Sequence, residues 1–141
     1  MNTDSCFNLA LRKSSRLITQ FYEDRLSATG LKVGQFAILR AVSFTKETTN
    51  RELQSILVLD QTTLTRSLKP LIRDGYLQLK SQADDGRIKL ISLTKSGKAL
   101  YEEAEPIWIE TQKALQKKIG VKETDSILDL ANILVNALDD K

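Results

Sequence analysis

Thr62, Arg66, Lys69 and Arg73 follow one another at spacings of four, three and four within the stretch Asp60 to Gly75. Wound at 100° per residue they share one side of a helix, setting a hydroxyl and three positive charges in a stripe. Such a stripe makes and breaks no covalent bond; it binds. Guanidinium and ammonium groups meet phosphate oxygens and base acceptors, and threonine hydroxyls meet either, so the fitting partner is the major groove of double-stranded DNA. Leu64, Leu68, Leu71 and Ile72 fall on the opposite side and supply a face to bury. Asp60 suits an N-cap and Gly75 a C′ terminator, so the helix has a start and a stop. A solvated surface helix carries the same kind of stripe, and the flanking elements must decide between the two.

Those elements read as follows. Cys6 to about Ala28 is an amphipathic helix, and Gly34 to Phe44 a second. Thr49-Asn50-Arg51-Glu52 has the capping-box pattern and opens a third, with Leu53, Ile56 and Leu57 on its apolar side. Only Val58 and Leu59 separate it from the basic helix. Two short helices across so tight a turn make a helix-turn-helix. Tyr76–Lys80 and Ile88–Leu93 alternate as strands around the polar turn 81–87, which predicts a β-hairpin, or wing, with Arg87 at its tip. Thr94 caps a long helix that carries Pro106 and ends at Gly120, and a last helix runs from Lys122 to Leu138. The fold class is mainly α with a small β-hairpin (α+β): a winged helix-turn-helix core between N- and C-terminal helices. Residues 1–141 read as one domain, with 32–98 the DNA-binding core and 1–30 and 99–141 dimerisation helices. The apolar stripes of the end helices exceed what one winged module can cover, which predicts a homodimer.

Composition removes other classes. The chain has 141 residues, one Cys and no His. Without His, zinc or iron sites and Ser-His or Cys-His catalysis lose their usual ligand and base, so neither a cofactor nor an enzyme is expected. One Cys forms no internal disulfide, which fits a reducing cytoplasm. No apolar run suits a membrane span, and Thr3, Asp4 and Ser5 stand where a signal peptide would be basic and then apolar. Residues 48–98 hold nine Lys/Arg against five Asp/Glu, while residues 120–141 hold two against five. A polyanion therefore belongs to the middle of the chain alone.

This order of elements resembles the MarR family of dimeric winged-helix transcription regulators. The resemblance is carried by Gln35-Phe36-Ala37-Ile38-Leu39, Arg51-Glu52-Leu53 and Asp60 to Arg66. Above all it rests on Asp85-Gly86-Arg87 followed by Leu93-Thr94-Lys95-Ser96-Gly97. It implies that Gln61, Thr62, Thr63, Thr65, Arg66, Lys69 and Arg73 line the major groove. Arg87, with Lys89 beside it, would reach the adjacent minor groove, and Asp85 would hold Arg87 by an ion pair. It also implies a homodimeric repressor on a pseudo-palindromic operator, released by a small molecule or an oxidant acting between the wing module and the dimer helices. Three departures stand out. Val58 replaces the usual Gly between the two helices, so the turn should take another backbone path. Lys32 replaces a Thr or Ser, so a helix cap should be lost. Pro70 sits inside the basic helix and should bend it.

Cys6, at the start of the first helix, resembles the sensor of peroxide-responsive members, with Tyr22 as the one matching tyrosine; a small hydrophobe in the dimer interface is the alternative. Glu102, Glu103, Glu105 and Glu110 read as a solubilising face, and Trp108 and Tyr101 as core, dimer packing or the lining of an effector pocket. The rival to a DNA-binding regulator is a winged-helix protein-interaction module.

Overall fold

Leu64, Leu68 and Leu71, the leucines of the basic helix, are almost wholly buried, and the rest of the chain is laid around them. A computed structural model describes residues 5–139. Its elements are α1 (Phe7–Leu26), α2 (Val33–Thr45), β1 (Glu47–Thr48), α3 (Asn50–Leu57), α4 (Gln61–Arg73), β2 (Leu77–Ser81), β3 (Lys89–Leu93), α5 (Lys95–Ile119) and α6 (Val121–Leu138). A short 3-10 turn, Ser27–Thr29, joins α1 to Gly30, whose φ of 77° ends it. The three buried leucines of α4 meet Ile38, Leu39 and Val42 of α2, Leu53 of α3, and Leu77 and Ile91 of the sheet in one core. Each such side chain taken from water contributes about 1.5–3 kcal/mol, which ties α4 to its scaffold.

The hairpin is part of a three-stranded antiparallel sheet of order β1-β3-β2, in which Leu77 pairs with Leu93 and Ser81 with Lys89. The strand β1 was not foreseen. Two residues are too few for a periodic signal, and pairing to β3 (Thr48 opposite Ile91) makes them a strand. Thr48 is buried with its hydroxyl donating to Glu52, 2.9 Å away. Thr49 caps α3 by accepting the Glu52 N–H, so Glu52 turns to Thr48 and only half of the capping box forms.

Two expectations at helix ends need correction. The turn between α3 and α4 does not avoid the left-handed region: Val58 sits at φ 53°, ψ 53°. Its N–H and that of Leu59 both reach the Gln54 carbonyl, so two bonds that close α3 outweigh a strain of about 1–2 kcal/mol. Lys32 lacks an acceptor, yet the start of α2 is served by others. Gln35 accepts the Lys32 N–H, and Glu23 of α1 accepts that of Val33, both at 3.0 Å.

At the other end of the module, Thr94 caps α5 by accepting the Gly97 N–H. The Thr94 and Ser96 hydroxyls both donate to the Gly75 carbonyl, just past the end of α4. The Thr94 N–H reaches the Tyr76 carbonyl at 3.1 Å. Gly97 packs so closely on this carbonyl that a Cβ there would collide with it. Glycine is required by space here, since φ at Gly97 is not positive.

α6 has no buried residue; Leu128 and Ile133 are each 62% exposed and Leu138 72%. Phe7 on α1 is 89% exposed and Leu17 68%. No helix is long and apolar enough to cross a membrane among the described residues.

Two substitutions test this account by thermal melting. Val58→Gly removes a left-handed strain of about 1–2 kcal/mol but raises the entropy of the unfolded chain, so the net gain should be about 0.5–1 kcal/mol, or roughly 1–4 °C. Gly97→Ala should destabilise by more than about 2 kcal/mol, because neither the Tyr76 backbone nor α5 has room to move. A lower melting temperature for the first or an unchanged one for the second would count against the geometry.

Candidate nucleic-acid interface

Asp60 starts the basic helix as the sequence predicts. Its carboxylate accepts the Thr63 N–H at 2.7 Å and the Thr63 hydroxyl at 3.1 Å. These bonds, the backbone one first, hold its pKa below the usual carboxylate value, and Arg66 adds a little attraction. The Thr63 hydroxyl is thus committed to the cap. Gln61, Thr62, Thr65, Arg66 and Lys69 lie on the exposed side of α4, and the helix continues through Pro70 to Arg73. Arg73 is exposed but turns back on Asp74, Nε to Oδ1 at 3.0 Å, which raises its pKa and lowers that of Asp74. The stripe therefore stands open at Thr62, Arg66 and Lys69 and is engaged at its C-terminal end.

On the wing, Asp85 lies against Arg87. The Asp85 carboxylate takes Arg87 Nε and Nη2, each at 3.1 Å, and the Arg87 backbone N–H at 3.0 Å. Side chain and backbone of one residue are fixed by one carboxylate. Hydrogen bonds from the Arg87 side chain, then its backbone, push the Asp85 pKa down. Lys89 crosses the hairpin to Ser81 Oγ at 2.8 Å. Wing and α4 face each other across a cleft whose rim includes Arg51, Lys69, Arg87 and Lys89. Arg51 was missed from the sequence. It lies in the first turn of α3, outside any stripe, and only the packing of α3 against α4 brings it to this face.

The candidate signal residues fall elsewhere. Cys6 is the exposed N-cap of α1, outside its first turn, and its side chain makes no capping bond. Tyr22 donates to Gln112 of α5 and is partly buried, which raises its pKa. Sixteen residues of helix, about 24 Å, separate the two, so one protomer does not bring them together. Tyr101 is buried, stacks on Phe36 at 5.6 Å and donates to Glu105 at 2.6 Å. Burial and then Glu105 push its pKa up to about 12. Glu105 thus leaves the solubilising face assigned to it. Trp108 is half-buried with Arg40 over its ring at 4.6 Å, and the same guanidinium lies 4.9 Å from the Phe44 ring. These residues line a cleft of about 400 Å³ between α2, α3 and α5.

A helix-turn-helix with its polar helix outward, backed by a three-stranded sheet whose hairpin projects a tethered arginine, defines a winged-helix DNA-binding protein. A family model described as a winged helix DNA-binding domain matches residues 31–97. The HTH-type transcriptional regulator YwoH of Bacillus subtilis is 33% identical over 93 residues, 66% of this chain and 67% of that protein. The transcriptional regulator MosR of M. tuberculosis, solved in complex with DNA, is 29% identical with a TM-score of 0.81, covering 95% of this chain and 99% of that one. A cysteine-to-serine variant of MarR from E. coli, complexed with operator DNA, superposes with a TM-score of 0.81 at 22% identity, covering 91% and 92%. The chain belongs to the MarR family of winged-helix DNA-binding transcription regulators, which is not a family of enzymes.

The wing predicts an uncommon mutational signature. Asp85→Ala should leave the melting temperature almost unchanged, because an exposed ion pair contributes little to stability. It should weaken DNA binding, since a released arginine must be ordered again on docking. Adding it to Arg87→Ala should cost almost nothing further. Additive losses in a double-mutant cycle would show that the two residues act separately. A depressed carboxylate pKa means the tether is present above the ordinary value of about 4 and fails only as pH falls through the lower, folded value. The wing's share of DNA affinity should therefore be flat between pH 5 and 8.

Proposed function

We propose that this regulator acts as a homodimeric repressor on a pseudo-palindromic operator. Gln61, Thr62, Thr65, Arg66 and Lys69 would lie in the major groove, and the wing's Arg87 and Lys89 on the flanking backbone and minor groove. The observation that carries the DNA reading is the exposed stripe of Arg66 and Lys69 beside a wing arginine already held by Asp85. A protein-interaction module would have no need of several cations converging on one face. The homodimer is supported by apolar side chains of α1 and α6, Phe7, Leu17, Leu128, Ile133 and Leu138 among them, that stay exposed among the described residues. A two-fold pair would set two recognition helices about 34 Å apart, one DNA turn.

Release by a small molecule is supported by the cleft beside Trp108. Arg40 Nε is buried there without a hydrogen-bond partner, which suits an acceptor-bearing ligand. The oxidant alternative through Cys6 has less support, because Cys6 and Tyr22 lie far apart on α1. The chemistry assigned to α4 and the wing needs no cofactor, and a DNA-binding repressor works in the cytoplasm.

A band shift on the region upstream of the protein's own gene tests the DNA reading. Arg66→Ala should cost about 1–3 kcal/mol and relax preference at one base position, while Lys69→Ala should weaken all sequences alike and flatten the salt dependence. Wild-type binding by both variants would show that α4 is not the reading helix. Leu130→Glu should cost several kcal/mol of association and abolish tight binding, because an unpaired carboxylate would be buried between protomers. Sedimentation at micromolar concentration checks it; a wild-type monomer that still binds tightly would refute the dimer.

A further inference from the structure

α6 meets the rest of its own chain at both ends. Near its start, Thr124, Ile127 and Leu128 share one small cavity with Ile18 and Tyr22 of α1 and Gln112 of α5. From there the helix runs on, about 27 Å in all for its 18 residues, with none of them buried among the described residues. Its end is different. Asp139, which closes α6, has one carboxylate oxygen shut off from solvent. It lines a cleft of about 580 Å³ with Arg51 and Ser55 of α3, Val58 and Leu59 of the turn, and Asp60, the N-cap of α4. Withdrawing a carboxylate oxygen from water is costly, so this marks a built contact and not a chance approach of a helix end. The Asp139 N–H bonds to the Val135 carbonyl at 3.0 Å, so the residue moves with the helix behind it.

The cleft lies at the turn from which α4 takes its direction. Val58 and Leu59 bond back to the Gln54 carbonyl, and Asp60 holds the Thr63 N–H. A displacement here is passed to the first turn of α4, where Gln61 and Thr62 stand. The far end of α4 has its own support in the bonds from Thr94 and Ser96 to Gly75. One support fixes where a helix lies; two fix where it points.

We propose that Asp139 is a positioning residue for the reading helix. It seats the end of α6 against the α3–α4 turn and so carries the geometry of the dimer to α4. The helix whose apolar side chains a second copy would cover is thereby the helix that touches this turn. The separation of the two reading helices, and with it the spacing of half-sites the protein accepts, is set through α6 as well as α5. The inference rests on the homodimeric DNA-binding reading given above.

The test is the spacing preference of the full chain, read by fluorescence anisotropy on duplexes from the protein's own upstream region. One duplex keeps the native half-site separation, and the other carries one inserted base pair. The insertion shifts one half-site by about 3.4 Å and turns it by about 34°. Wild type should bind the lengthened duplex at least about tenfold more weakly. Asp139→Ala should stay dimeric in sedimentation at micromolar concentration and melt as wild type does, yet its preference should fall to about threefold or less. A merely structural loss would weaken both duplexes alike and leave their ratio unchanged. Ser55→Glu, on the α3 side of the cleft and outside the proposed DNA contacts, sets a second negative charge beside Asp139 and should lower the ratio too. Adding Asp139→Lys to it should restore most of the preference. An unchanged ratio in a folded, dimeric Asp139→Ala overturns the proposal; should that variant not fold or pair, an unchanged ratio in Ser55→Glu does so. Wild type that binds as a dimer but treats both spacings alike overturns it and leaves the regulator reading intact. Wild type that binds no DNA, or binds only as a monomer, overturns both.

Discussion

The contact between Gly97 and the Tyr76 carbonyl is the constraint on which the rest of this structure turns. Three elements meet there: the end of α4, the start of β2 and the first turn of α5. The Thr94 and Ser96 hydroxyls close on the Gly75 carbonyl from the α5 side, so a carbonyl just past the last turn of α4 is satisfied by another element. A helix end bonded in this way cannot rotate independently of its partner. α4, the hairpin and α5 therefore behave as one piece, and anything that displaces α5 displaces the outward side chains of α4. The Leu-Thr-x-x-Gly stretch is a joint before it is a motif.

The face that this joint supports is built by subtraction as much as by addition. α4 presents Arg66 and Lys69 with no acid of its own nearby except Asp60, which is spent on the cap, and Asp74, which holds Arg73. On the wing, Asp85 offsets one positive charge of a basic region but leaves most of the Arg87 surface open. The result is a positive field with few internal salt bridges. Its long-range part is screened over about 10 Å at 0.1 M salt.

Much of this was legible from residue types. The 3.6 period of Leu64, Leu68 and Leu71 and the caps at Asp60 and Thr94 rest on interactions within a few residues, as does the pairing of Asp85 with Arg87, which the family resemblance implied. What escaped depended on partners distant in sequence. Thr48 is a strand residue only because Ile91 lies opposite, 43 positions on. Glu23 serves α2 from α1, and Arg51 reaches the wing cleft because α3 packs on α4. Val58 failed for another reason: the preference against positive φ was real but smaller than the two bonds that close α3. Glu105 looked like its acidic neighbours, and only the position of the Tyr101 ring sets it apart.

α6 has a further consequence. A helix of 18 residues with none of them buried gains little from tertiary packing within its own chain, and most helices of that length need such packing to persist in water. Its order is therefore linked by mass action to the concentration of whatever covers it. With a second copy of the chain as that cover, as proposed above, the folded fraction of the C-terminal segment would be a function of abundance. A regulator present in few copies would expose residues 121–138 to proteolysis, and one present in many would protect them, so turnover itself would sharpen the response of the protein's level to its rate of synthesis.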